Sequence, residues 1–472
     1  MKTKSNWDFT FEQKLDIGLK FVYDLLEPAC AYGVKLLKSK SLFTPDEQSA
    51  LEDELDNVSI MLAALNKTPE KIDAVRHALS TLKDITGSIK SCSDKPLDEI
   101  ELFELNAFLL RLRELIPIVE CIDGYKDLNG IFFAQVDELL SVLDPEGFGK
   151  LSFYIEDMRT PRLLRLRQKK RELEAMQTKQ DLNNENTEAM LLRVAAEEES
   201  ELLSIYALIS ETLRPMLPVL TQNIEAAGKL DAAICKAILA RRYNCVKPLI
   251  GGETLLFEET WNPEIDGALA SRGRSFTPLT VELPKGVTIL TGANMGGKSV
   301  AIKTIVLNMA LALSGFFVFC KKAHVPAFDR VELINKDFSS AIGGLSGFGG
   351  EIVRFNEAVG RLDEGGLSLF AMDEFARGTN SEEGAAIVRS VVKYLNEKNA
   401  VTVIATHYDG AAKFASRRYQ TRGLSGDSTN HMDYGLVEVG KDEDCPRDAV
   451  KICRILGMKE EILKSIEEES SW

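Results

Sequence analysis

One stretch restricts the fold more than any other: Thr291-Gly-Ala-Asn-Met-Gly-Gly-Lys-Ser299. The run before it, Val287-Thr-Ile-Leu290, is short and β-branched, and the run after it, Val300 to Leu313, has the length of a buried helix. Gly292, Gly297, Lys298 and Ser299 match G-x4-G-K-[ST], a loop in which glycines let the backbone curl until its N–H groups point at phosphate oxygens. Gly292, Ala293, Asn294, Met295, Gly296 and Gly297 would supply that cradle, and the helix that follows adds its positive end. Lys298 would then reach the β- and γ-phosphates of ATP, and Ser299 would place its hydroxyl on Mg²⁺.

Three further segments fit the same chemistry. Leu367-Ser-Leu-Phe-Ala-Met-Asp-Glu374 reads as a hydrophobic strand ending in two carboxylates, 75 positions after Lys298. Asp373 is expected to hold Mg²⁺ through its water shell and Glu374 to orient or deprotonate the attacking water. Val401-Thr-Val-Ile-Ala-Thr-His407 is a second β-rich strand, and a histidine at the carboxyl end of a parallel strand sits where α/β sheets bind ligands. His407 is expected to sense the γ-phosphate, with a purely structural histidine as the alternative. Ala341 to Glu351 is glycine-rich and carries Ser346 just before a helical run, a second anion-binding pattern. One nucleotide cannot fill two such sites in one subunit, so Ser346 is expected to act in trans across a homodimer.

The chain of 472 residues is long enough for about three domains, and 45% hydrophobic with 27% charged residues is an ordinary globular balance. A formal charge of −15 excludes a surface that is basic throughout, so any nucleic-acid contact must be a local patch. The eight cysteines include no C-x-x-C pair and the four histidines are dispersed, which is expected for reduced thiols in a cytoplasmic protein. The N-terminus has no apolar signal core and no apolar run reaches about 18 residues, so neither export nor a membrane span is expected.

Of the 33 glycines only 8 precede residue 250, which makes the first part helical and the second loop-rich α/β. Thr44-Pro-Asp-Glu47 and Thr68-Pro-Glu-Lys71 look like helix starts. Apolar positions 51, 55, 58, 61 and 62, then 72, 75, 79 and 82, form core-facing stripes. Leu143 to Gly149 is a turn cluster, and Leu151 to Ile155 is expected to be a short strand. Seven basic residues then fall in thirteen positions, from Arg159 to Arg171. Helical phase puts Arg162, Arg165 and Lys169 on one face, with Leu163, Leu166, Leu173 and Met176 near another. A solvated helix face and a contact with DNA phosphates or an acidic partner both stay open. A helical hairpin, out along 160–177 and back along 187–220, completes the reading. The expected organisation is a helical core at 1–158, an arm at 159–220, a return to the core at 221–250 and a phosphate-loop domain at 251–472.

Taken together these motifs resemble the ATPase domain of MutS proteins, within the wider ABC-type superfamily. Thr291 to Ser299 is similar to the MutS phosphate loop, with Ala293 where proline is usual. Asp373-Glu-Phe-Ala-Arg-Gly-Thr379 is similar to its acidic motif, with Phe375-Ala376 in place of the usual Ile-Gly. Ala405-Thr-His-Tyr408 matches closely, and Ser346-Gly-Phe-Gly-Gly-Glu351 resembles the segment that acts in trans. By position, Phe276 would pack near adenine, and residues 448–462 resemble the closing helices. The resemblance is specific over roughly 250–465 and elsewhere is one of layout. Leu143-Asp-Pro-Glu-Gly147 is more like the short-armed, mismatch-independent branch. Segments like the family's N-terminal mismatch-reading and connector domains, or a C-terminal nuclease extension, are not expected in this chain.

The resemblance implies an α + α/β multidomain protein: an all-helical core with a hairpin arm, followed by an ABC-type P-loop ATPase domain with ATP and Mg²⁺ as cofactors. It implies a homodimeric clamp that ATP opens and closes on DNA in repair or recombination, without reading mismatches itself. The alternative is a MutS-like ATPase that remodels a protein partner, such as a cobalamin-dependent aminomutase, without touching DNA. An accessory subunit is compatible with either.

Overall fold

The computed structural model describes residues 9–39, 41–147, 149, 155, 159–179, 185–292, 297–335, 347–362, 365–424, 432–440, 450, 453–454 and 457–469. The chain divides into two compact units: Pro28–Ser39 with Ala63–Ile234, and Met1–Glu27 with Lys40–Leu62 and Cys235–Trp472. Among the described residues no helix is long and apolar enough to cross a membrane.

The helices start where the sequence supplies partners for their free N–H groups. After α1 (Phe11–Asp16), α2 (Leu19–Asp24) and α3 (Ala31–Ser39), Thr44 and Glu47 form a capping box around a 3-10 turn that leads into α4 (Gln48–Lys67). Leu51, Leu55, Val58 and Met61 of α4 are buried, as their spacing requires, while Leu62 is half-buried. α5 (Pro69–Ser80) opens on its proline and buries Ile72, Val75 and Leu79; Leu82 follows into the core. α6 (Thr86–Asp94) precedes α7 (Glu99–Glu120), which starts at an Asp98–Glu101 capping box and buries Leu102, Leu105, Leu109, Leu112 and Leu115. α8 (Asp137–Leu143) ends at the expected turn, where the Asp144 carboxylate accepts the Gly149 N–H at 2.7 Å. The expected strand at 151–155 lies outside the described residues except for Ile155, which is buried.

α9 (Pro161–Lys179) and α10 (Glu185–Leu213) pack along a seam of Leu166, Leu173 and Val194. Inside the seam the buried Arg167 donates to Glu198 at 2.9 Å and to the Ile155 carbonyl at 2.6 Å, and Lys170 reaches the same carboxylate at 2.7 Å. The basic run is thus split by burial: Arg167 and Lys170 hold the hairpin together, while Arg162, Arg165 and Lys169 are exposed. Met176 does not join the buried leucines and is 57% exposed. At about 100° per residue its phase falls between Arg165 and Lys169 rather than beside Leu173. The returning helix, expected over 187–220, ends at Leu213. Pro215 lacks an N–H and sets a 3-10 turn at Arg214–Met216, after which α11 (Leu217–Tyr243) begins.

The second unit contains two sheets. The smaller, in the order β1 (Leu249–Ile250), β5 (Lys322–Val325), β2 (Leu255–Thr260), β3 (Leu279–Leu283), is mixed. α12 (Pro263–Ala270) lies between β2 and β3 in sequence. The larger sheet also contains β4 (Gly286–Thr291), β6 (Arg330–Ile334), β7 (Ser368–Asp373), β8 (Ala400–Ala405), β9 (Arg417–Leu424) and β10 (Met432–Glu438). Its order is β10-β9-β4-β8-β7-β6, parallel except for the β9–β10 pair. β4 and β8 are buried throughout, which is why they read as continuous apolar runs. α13 (Lys298–Ala312) follows β4 and is buried from Ala301 to Ala312 except at Lys303. α14 (Gly347–Leu362) and α15 (Ser381–Asn396) connect β6 to β7 and β7 to β8. α15 packs Val388, Val392 and Leu395 against Val287, Ile289, Phe370 and Ile404. The last helix described is α16 (Glu460–Glu469).

Burial raises the Glu198 pKa, but hydrogen bonds from Lys170 and Arg167 outweigh it and hold the carboxyl below its ordinary value. A carboxyl depressed on folding contributes stability in full above about pH 5 and loses it as the pH falls below about 4. Glu198→Ala should therefore cost about 3 kcal/mol at pH 7, because it strands a buried guanidinium, and much less at pH 3. Hydrogen exchange should quicken along α9 and α10; wild-type protection there would refute the assignment.

Candidate active site

Register puts three motifs on one edge. Leu290 of β4 pairs with Ala405 of β8, and Ala405 pairs with Asp373 of β7. The segments after these strands therefore leave the sheet side by side, with β4 and β7 about 10 Å apart. This carboxyl edge is where open α/β sheets bind ligands.

At the end of β4, Gly292 has φ 132° and its carbonyl accepts the Lys298 Nζ at 2.7 Å. A Cβ on Gly292 would come within 2.0 Å of the Thr421 Oγ1, so no other residue fits. Gly297, at φ 93°, turns the chain into α13, placing Lys298 and Ser299 on the first turn. Lys298 is buried and Ser299 half-buried. Ala293, Asn294, Met295 and Gly296 lie outside the described residues. Strand β9 braces the base of the loop: the Arg418 Nε donates to the Thr291 Oγ1 at 3.1 Å, which donates on to the Tyr419 carbonyl at 3.3 Å. Arg418 is 2% exposed, so the loop base carries a buried cation beside Lys298 and the positive end of α13. That set favours an anion.

At the end of β7, Asp373 is half-buried and the Glu374 N–H donates to the Ala405 carbonyl at 3.0 Å. The Glu374 carboxylate is ion-paired with Arg377, whose side chain is 47% exposed. Two non-glycine residues in this turn have left-handed backbone, Glu374 at φ 54° and Ala376 at φ 61°. The turn is gripped from two sides: the Ala376 N–H donates to the Glu351 Oε2 at 3.1 Å, and the Tyr408 hydroxyl donates to the Ala376 carbonyl at 3.3 Å. Burial pushes the Tyr408 hydroxyl above its ordinary pKa, which keeps it a donor. Beside it His407 is exposed, its ring 4.0 Å from that of Tyr408.

Gly292, Gly297, Lys298, Ser299, Asp373, Glu374 and His407 are thus assembled on one edge. Ser346 lies outside the described residues. Phe276 is buried between α12 and β3, with its N–H on the Asp266 carboxylate at 3.4 Å. Arg162, Arg165 and Lys169 belong to the other unit. No local pattern singles out Arg418 or Thr421, since both act across strands, whereas Glu351 and Tyr408 lie at the ends of motifs that sequence does mark.

Comparison with known proteins agrees with this layout. Residues 288–468 match the MutS domain V family model. The chain is 31% identical over 242 residues to the Endonuclease MutS2 of Clostridium botulinum (strain Loch Maree / Type A3), covering 50% of the chain and 29% of that protein. It is 30% identical over 225 residues to the Endonuclease MutS2 of Caldicellulosiruptor bescii, covering 47% and 28%. Similarity to the DNA mismatch repair protein MutS of Natronomonas pharaonis extends over 416 residues at 26% identity, covering 84% of the chain and 45% of that protein. The chain therefore spans less than half the length of these relatives.

Ala376 stands where the resemblance leads one to expect glycine, and its backbone is one that glycine adopts freely. A left-handed alanine costs about 1–2 kcal/mol, partly offset because glycine loses more entropy on folding. Ala376→Gly should raise stability by about 0.5 kcal/mol in a denaturant titration; a loss above about 1 kcal/mol would argue against this turn geometry.

Proposed function

We propose, from the premise that this chain belongs to the MutS family through the domain V of its residues 288–468, that it is a Mg²⁺-dependent ATPase whose cycle drives a clamp on DNA. The observation that carries the reading is the in-register edge of β4, β8 and β7, which brings Lys298, His407 and the Asp373–Glu374 pair together. The residues present fit ATP and Mg²⁺: a helix N-terminus, a lysine and a buried arginine for phosphate, and a serine hydroxyl with a carboxylate for a hard cation. Bound there, Mg²⁺ would neutralise charge developing on the phosphates.

The chain's own groups take distinct roles. Lys298, now on the Gly292 carbonyl, would turn to the β- and γ-phosphates, and the N–H groups of residues 292–297 would surround them. Ser299 and Asp373 would hold the cation. Glu374 would accept a proton from the attacking water once it leaves Arg377, and His407 would contact the γ-phosphate. Phe276 would pack near adenine. Ser346 would complete the site of the second subunit in a homodimer, making the ATPase an α/β domain of ABC type.

For the other half we propose that the 159–220 hairpin is the clamp arm, attached to a helical core at 1–158 and 221–250 and joined to the ATPase domain at 251–472. Arg162, Arg165 and Lys169 would contact phosphate backbone, since they are exposed while Glu198 holds Arg167 and Lys170; Arg162 would exchange its 3.5 Å pairing with Glu201 for a phosphate. The names of the relatives, an endonuclease and a DNA mismatch repair protein, favour DNA repair as the setting, and recombination and a cytoplasmic location belong to the same proposal.

Glu374→Gln should keep ATP binding and slow hydrolysis by about 10²-fold; unchanged turnover would remove Glu374 from its role. Binding to duplex and four-way-junction DNA with a non-hydrolysable ATP analogue should weaken with salt, with a log–log slope of about −0.9 per neutralised phosphate. Reversing the charge at Arg162, Arg165 and Lys169 should flatten that slope by about 3. Absence of binding at low salt, from protein that hydrolyses ATP, would refute the DNA reading and favour a protein target.

A further inference from the structure

We propose that Glu351 is a positioning residue for hydrolysis, acting on Glu374 through the backbone of Ala376. The inference rests on the ATPase reading above and assigns a role to a carboxylate to which that reading gives none.

Glu351 lies near the start of α14 and is 6% exposed, an unfavourable place for a carboxylate unless its hydrogen bonds serve a purpose. One of them is the bond from the Ala376 N–H. Four residues on, one turn along the same helix, the Phe355 ring lies 5.2 Å from that of Phe375, which is fully buried. α14 therefore holds the turn after β7 at two consecutive residues. From the opposite side Tyr408, next to His407, holds the Ala376 carbonyl. Between these grips the chain passes through left-handed backbone at Glu374 and Ala376, a conformation that relaxes unless its neighbours impose it. The direction of the Glu374 side chain is set by that backbone. The Glu351 bond is thus one of the two side-chain hydrogen bonds that hold Ala376, two residues after Glu374, and it links α14 to the turn after β7.

The test compares steady-state ATP hydrolysis by the full chain for wild type, Glu351→Ala, Glu351→Gln and Tyr408→Phe, with binding of a fluorescent ATP analogue measured in parallel. Glu351→Ala should lower kcat roughly tenfold and leave KM and analogue binding within about twofold, because the phosphate loop is untouched. Glu351→Gln should recover most of the turnover, since an amide oxygen still accepts the Ala376 N–H. Tyr408→Phe, a smaller change that decides the matter if Glu351→Ala does not fold, should lower kcat about threefold. On a Glu374→Gln background Glu351→Ala should cost nothing more, because it acts through the group already removed. Wild-type kcat in both Glu351→Ala and Tyr408→Phe, or full additivity with Glu374→Gln, would overturn the proposal while leaving the ATPase reading intact. Wild-type protein that binds the analogue but never turns over would overturn both.

Discussion

The parallel pairing of β4, β8 and β7 is the constraint on which the rest of this molecule depends. A parallel ladder cannot slip by one residue without turning every side chain to the other face, and these strands are buried on both faces. The register Leu290–Ala405–Asp373 is therefore fixed by the core, and with it the spacing of the three motifs. Chemistry at the edge inherits its geometry from apolar packing beneath it. α13 serves both ends of that arrangement, since its body fills the core while its first turn carries Lys298 and Ser299.

Charged groups within the larger unit are buried only where the backbone meets their needs. Lys236, 1% exposed, donates to the carbonyls of Ser314 at 2.9 Å and Gly315 at 3.1 Å and is ion-paired with Glu54. Arg418 donates to Thr291 and to the Gly440 carbonyl at 3.2 Å. Lone buried charges would cost several kcal/mol each, so these bonds are conditions of the fold rather than additions to it. Arg418 differs from Lys236 in its location: the strand residue that it holds is the one from which the phosphate loop departs.

What the sequence makes legible follows from the range of each interaction. The stripes at 51, 55, 58 and 61 and at 72, 75, 79 and 82 are set by helical period alone, and all are buried. The strands before Gly292, Glu374 and His407 read correctly because burial on both faces leaves continuous apolar runs. Met176 reads as one of the apolar residues of its helix, but at about 100° per residue it falls among the exposed cations. Arg167 looked like one more cation of a basic face, and only Glu198, 31 positions away, turns it inward. The braces at Arg418 and Thr421 join strands distant in sequence, so no local pattern announces them; Glu351 closes a motif that the sequence marks, but its bond to Ala376, 25 positions away, is not legible there. Ala376 is intermediate, for the departure from glycine is visible while the left-handed backbone that makes it matter is not.

The edge is self-satisfied as it stands, and this bears on how a nucleotide would act there. Lys298 donates to the Gly292 carbonyl and Glu374 is paired with Arg377, so both groups have partners of their own chain. Each such charge-assisted bond is worth about 1.5–3 kcal/mol, and a ligand shifts the arrangement only by what it offers beyond that. A phosphate chain with its cation offers more than one replacement for Lys298, because the helix end and the glycine-loop N–H groups act on it together. The phosphate oxygens offer Glu374 nothing directly, since both are negative. Release of Glu374 would follow from Arg377, whose side chain, 47% exposed, can be drawn toward new negative charge. An anion at this edge thus attracts Lys298 and competes for Arg377 at once, which makes occupation of the site and exposure of the Glu374 carboxylate two results of one electrostatic change.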